Sequence, residues 1–82
     1  MSLSALLKLT RQKMLLTQED FALLMKVSVA TINRWENGHS KPNIQAMKNL
    51  KAICEKNNLP FDEIEKAWLE ANWLYYIWKN VR

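Results

Sequence analysis

The sequence predicts an all-α domain of five helices, and three observations lead there. One Gly and two Pro interrupt 82 residues, and so few breakers point to helices joined by short turns. Apolar residues recur at three- and four-residue spacing along most of the chain, the period of a helix with one buried stripe. Residues that cap helices stand where successive stripes begin, at Thr17, Ser28 and Asn43.

Each element follows in order. Leu3, Leu6, Leu7 and Met14, with Thr10, form a stripe that predicts a helix over 3–14, with Lys8, Arg11 and Lys13 mostly off it. Thr17 opens a second helix over 17–25, whose apolar positions are Phe21, Ala22, Leu24 and Met25. Glu19 and Asp20 in its first turn suit the positive end of the helix dipole. After a break at Lys26-Val27, Ser28 opens a third helix over 28–36. Its Ile32 and Trp35 should face inward, which leaves Val29, Ala30, Asn33 and Arg34 on the other side. Asn37-Gly38 ends it, with the lone glycine where a left-handed cap is wanted. A polar loop, His39-Ser40-Lys41-Pro42, leads to Asn43 and a fourth helix over 43–57 with Ile44, Met47, Leu50, Ile53 and Cys54 on its stripe. The break Asn57-Asn58-Leu59-Pro60 precedes a fifth helix over 61–80, carrying Ile64, Ala67, Trp68, Ala71, Leu74, Tyr75 and Trp78.

The totals narrow the function. Eighty-two residues fit one domain with a modest core. A single cysteine, Cys54, makes no intrachain disulfide and suits a reducing compartment. There is no apolar run long enough to span a membrane and no secretory pattern at the N-terminus, so a cytoplasmic location and no membrane partner are expected. The net charge of +4 is uneven: residues 1–60 hold nine Lys/Arg against four Asp/Glu, and residues 61–82 hold three against four. A polyanion would therefore meet the first part and a protein surface the last. His39 and Cys54 are two isolated ligand types and do not make a metal site. Glu19-Asp20 and Asp62-Glu63 each open a helix, so dipole complementarity accounts for them without acid–base chemistry. No phosphate-cradling Gly loop and no Ser/His/Asp set appears, and neither an enzyme nor a cofactor is expected.

Two short helices joined by a tight turn, the second capped by Ser28, suggest a helix-turn-helix. The run Thr17-Gln18-Glu19-Asp20-Phe21-Ala22, then Val27 through Gly38, then Lys41-Pro42, resembles the Cro/C1-type (XRE-like) helix-turn-helix domain over about residues 6–64. The resemblance implies a lambda-repressor-like fold that places the helix over 28–36 in the major groove of double-stranded DNA. It implies base-edge contacts for Val29, Ala30, Asn33 and Arg34. Backbone-phosphate contacts are implied for Gln18, Asn37 and Lys41; Thr17 and Ser28 are expected to join them, Thr31 to reach a phosphate or a thymine methyl, and Lys26 to add a positive charge beside the DNA face. It also implies an internal ion pair between Arg11 and Glu36 that ties the first helix to the end of the third. Three positions depart from the family's pattern. Leu15 and Lys26 stand where it usually has Gly, and a positive φ there would cost a non-Gly residue about 1–2 kcal/mol. The readout face is unusually apolar at Val29-Ala30.

Residues 1–64 are thus expected to form the DNA-binding domain and 65–82 a C-terminal helix. Trp68, Trp73, Tyr75 and Trp78 give that helix aromatic surface that needs burial. It either folds back on helices 1 and 4 or forms a homodimer interface, where aromatics are enriched. A dimer would read a pseudo-palindromic operator. The expected function is a sequence-specific transcription regulator, with repression, the family's usual mode, as the expected outcome. The alternative is an antitoxin or protein-interaction adaptor that holds a protein partner with the aromatic helix.

Overall fold

The computed structural model describes the backbone of residues 1–80 and the side chains of residues 1–71. Five helices follow in order: α1 Leu3–Lys13, α2 Gln18–Met25, α3 Val29–Glu36, α4 Ile44–Lys56 and α5 Asp62–Asn80. Each is one residue shorter than its expected span at one end, and α4 at both. In α1 to α4 those end residues are the caps themselves, half in and half out of the helix.

The caps explain the boundaries. The side chains of Ser2, Thr17, Ser28 and Asn43 each accept a hydrogen bond from a backbone N–H three residues on, satisfying a donor the helix cannot. Asp20 does more than complement a dipole, because its carboxylate accepts from the Thr17 N–H at 3.1 Å and closes a capping box. At the far end of α2, Lys26 takes a left-handed conformation, φ 60°. The Val27 N–H then turns back to the Ala22 carbonyl at 3.0 Å. Asn58, φ 55°, ends α4 in the same way.

One core gathers all five helices. Leu7, Phe21, Ile32, Leu50 and Cys54 are wholly buried, with Met25, Ile64, Met47 and Trp35 close behind. Burial of side chains of this size contributes about 1.5–3 kcal/mol each. Cys54 is a small core residue on α4, and burial pushes its thiol pKa up. His39 lies exposed in the loop after α3, so the two do not come together.

Two expected core positions are surface. Leu24 is 44% exposed and Ile44 is 60% exposed. At about 100° per residue, each lies roughly 105–110° from the centre of its helix's buried stripe. Phe21, Ala22 and Met25 fill that stripe in α2, as Ala46, Met47, Leu50 and Cys54 do in α4. On α5, Ile64 is buried and Ala67 and Trp68 pack against the core, and α5 lies along α1. The α5 helix runs through residue 64 without a break, so the expected boundary there falls inside one continuous helix. No helix among the described residues is long and apolar enough to cross a membrane.

Candidate nucleic-acid interface

The sequence of α2 and α3 dictates how they meet. Ala22 is 4% exposed, and its small side chain lets the two helices approach closely. The left-handed residue Lys26 ends α2, and two residues later Ser28 caps α3. Ile32 and Trp35 then hold α3 from behind, at 0% and 5% exposure. Helical geometry does the rest: Val29, Ala30, Asn33 and Arg34 all stand exposed on the opposite side. The four residues expected to meet base edges therefore share one solvent-facing surface.

Behind that surface runs a polar network. Arg11 on α1 grips Glu36 with two hydrogen bonds, Nε to Oε2 at 2.7 Å and Nη2 to Oε1 at 2.9 Å. Its Nη1 also donates to the Leu16 carbonyl at 2.8 Å, which fixes the turn into α2. The Glu36 side chain is 4% exposed and that of Arg11 is 12% exposed. Burial alone would push the Glu36 carboxyl pKa up. Hydrogen bonds from Arg11 and Gln18, with the charges of Arg11 and Lys8, outweigh burial and hold it below the ordinary glutamate value. The Arg11 pKa is raised, chiefly by its hydrogen bond to Glu36. The expected ion pair is thus present and ties α1 to the last turn of α3.

The network continues outward. Gln18 Nε2 donates to Glu36 Oε1 at 3.1 Å, and Asn33 Nδ2 donates to Gln18 Oε1 at 3.4 Å. Asn37 Nδ2 donates to both the Asn33 carbonyl, at 3.0 Å, and Asn33 Oδ1, at 3.1 Å. These links escaped the sequence reading. The only hint was the four-residue spacing of Asn33 and Asn37, which puts them on one helix face.

The residues expected to meet phosphate fall into groups. Gln18 and Asn37 belong to the network just described. Thr17 and Ser28 cap α2 and α3, and the Ser28 hydroxyl also meets that of Thr31 at 2.9 Å. Lys26 is exposed at the turn, and Lys41 is half-buried in the loop after α3. Of the residues expected at a dimer interface, Trp68 is half-buried against its own core and donates Nε1–H to the Pro42 carbonyl at 2.7 Å. This bond joins α5 to the loop that precedes α4 in the same chain. Trp73, Tyr75 and Trp78 lie outside the described side chains.

The expected strain at the two substituted glycine positions is present. Leu15, φ 59°, and Lys26, φ 60°, are both left-handed. Gly38, φ 74°, occupies the third such turn. A methyl group there would meet only the Ser4 hydroxyl, at 3.9 Å, so conformation and not space calls for glycine.

No curated protein and no solved structure matches the chain. A helix-turn-helix family model, HTH_3, matches residues 7–64, which include α2, α3, α4 and the Arg11–Glu36 pair. The paired helices, the buried anchor residues and this match agree: the chain belongs to the Cro/C1-type (XRE) helix-turn-helix family of DNA-binding transcription regulators.

Proposed function

We propose that the protein is a sequence-specific repressor that binds a pseudo-palindromic operator as a homodimer and acts by occupying it. The observation that carries this reading is the division of α3: Ile32 and Trp35 are buried while Val29, Ala30, Asn33 and Arg34 are exposed together. A B-DNA major groove, roughly 12 Å wide, admits one helix so presented. In this reading Arg34 grips a guanine through its guanidinium fork, and Val29 and Ala30 touch thymine methyl groups. Gln18, Thr17, Lys26, Ser28, Thr31, Asn37 and Lys41 hold the backbone on either side. Gln18 Nε2 donates to Glu36 and retains a second N–H for a phosphate oxygen. The N-termini of α2 and α3 add their partial positive charge.

Residues 1–64 act as the DNA-binding unit in this proposal, and residues 65–82 extend α5 as the dimer contact. Trp68 spends its N–H on its own chain. The contact between protomers therefore falls to the later residues of the helix, where the sequence places Trp73, Tyr75 and Trp78. Two recognition helices roughly 34 Å apart would then meet successive major grooves.

Titration of duplex DNA at rising salt tests the reading. Affinity should fall steeply, with a log–log slope of about −0.9 per phosphate neutralised. Weak binding at every salt concentration would instead favour the adaptor, for which the run of aromatics after Ala71 is the supporting feature. Selection from a random DNA pool should return two half-sites. A single half-site bound by a monomer refutes the dimer.

A further inference from the structure

The network behind α3 has a direction. An ionised carboxylate only accepts hydrogen bonds, whereas a side-chain amide offers an acceptor oxygen and a donor nitrogen at opposite corners. Glu36 Oε1 already accepts from Arg11 at 2.9 Å, so Gln18 meets it with its NH2 group, at 3.1 Å. The Gln18 oxygen is then left facing Asn33, which presents its own NH2 at 3.4 Å. The Asn33 oxygen must point the other way, and there the NH2 of Asn37 donates to it at 3.1 Å. Asn37 is itself oriented by its second acceptor, the Asn33 backbone carbonyl at 3.0 Å. One buried ion pair on α1 and α3 thus sets which way an exposed amide on the reading surface is turned.

We infer that Asn33 reads an adenine, and that Glu36, acting through Gln18 with Asn37 as the second clamp, is the positioning residue that fixes the Asn33 amide for it. After the internal bonds are counted, the exposed Asn33 amide keeps one N–H and one oxygen lone pair. That donor–acceptor pair complements the N7 acceptor and N6 amino donor that adenine shows in the major groove. A free amide would present either order and would lose rotamer freedom on binding; the clamped one is already arranged. The inference rests on the proposed base-reading role of α3 and adds to it the base and the control.

The test uses the full chain and an operator obtained by selection. The position Asn33 faces is the one whose preference disappears in Asn33→Ala. Replacing adenine there by 7-deazaadenine, which lacks the N7 acceptor, or by purine, which lacks the amino group, should each weaken wild-type binding. Full loss of the paired contact corresponds to roughly fivefold to 150-fold. Gln18→Met and Asn37→Ala both leave the Arg11–Glu36 pair in place. Each should lower the preference for adenine at that one position severalfold, beyond any uniform loss of affinity, and neither should change it further in an Asn33→Ala background. Should one variant fail to fold, the other carries the test. Analogues that bind like adenine overturn the inference. So do Gln18→Met and Asn37→Ala profiles that weaken every base alike. Nuclear Overhauser contacts between the Asn33 amide protons and the Gln18 side chain separate this from the underlying reading. A freely rotating Asn33 amide in a protein that binds its operator defeats the inference alone. A pinned amide in a protein that binds no duplex defeats the DNA-reading proposal, and the adenine with it.

Discussion

On the inner face of the eight-residue helix α3, Ile32 and Trp35 are packed away from water; on its outer face Val29, Ala30, Asn33 and Arg34 are exposed. The inner residues hold the helix against α1 and α2. The outer ones contribute little to the core and can carry recognition chemistry at small cost to the fold. Between the faces sits Glu36, buried like the inner residues yet hydrogen-bonded toward the outer ones. On the proposed reading, stability and specificity fall to different sides of one short helix, with a single buried ion pair touching both.

The largest expected effect lies on the inner face. Trp35→Ala should cost about 3–5 kcal/mol of unfolding free energy, the usual penalty for emptying a buried tryptophan site. Urea denaturation measures it. A loss below about 0.5 kcal/mol, within the range of ordinary surface changes, would remove Trp35 as the anchor of α3.

Next comes the residue between the faces. Glu36→Gln should cost about 1.5–3 kcal/mol, as hydrogen bonds to charged groups do. It should also change the acid limb of stability. The folded Glu36 pKa lies below its unfolded value, so the folded state binds fewer protons in the window between them. The Glu36 contribution is complete above the ordinary glutamate pKa and disappears as pH falls through the depressed one. Stability curves of the wild type and Glu36→Gln should converge toward acid pH. Parallel curves would show that the carboxylate does not titrate with folding.

On the outer face, Arg34→Ala should leave stability within about 0.5 kcal/mol of wild type. Base discrimination at one operator position should fall by about 1–3 kcal/mol. Binding-site selection reads this directly, and an unchanged selection profile means that α3 is not the reader.

The smallest effects lie in the turns flanking α2. Leu15→Gly and Lys26→Gly should each stabilise the protein by up to about 1 kcal/mol, through relief of the left-handed strain less the extra entropy of a glycine in the unfolded chain. Leu15 is 92% exposed, so its removal takes little packing away. The pair also sharpens the comparison of faces. Lys26→Gly should flatten the salt dependence of DNA binding by about one phosphate contact, and Leu15→Gly should leave it unchanged. Equal salt slopes for the two variants would take Lys26 out of the interface.

Local chemistry was legible from residue types at the caps and, at Leu15 and Lys26, from the family resemblance. Thr17, Ser28 and Asn43 each cap the helix they were expected to open, and Leu15 and Lys26 take the positive φ that glycine usually supplies. These are short-range outcomes, decided within three or four residues. The core was legible where a stripe is narrow, as with Ile32 and Trp35. It was misread at Leu24 and Ile44, because hydrophobicity does not say which of two neighbouring stripes another helix will cover.

The sequence by itself determined five helices, the caps of the middle three, and a helix-turn-helix whose second helix turns Ile32 and Trp35 inward and Val29, Ala30, Asn33 and Arg34 outward. Those follow from periodicity and from backbone groups that seek partners close at hand. Tertiary structure alone decided that Trp68 closes onto the Pro42 carbonyl and that Gln18 stands between Glu36 and Asn33. Those partners lie 26, 18 and 15 residues apart along the chain. No local rule brings such groups together; only the packing of α1, α2, α3 and α5 around a shared core does.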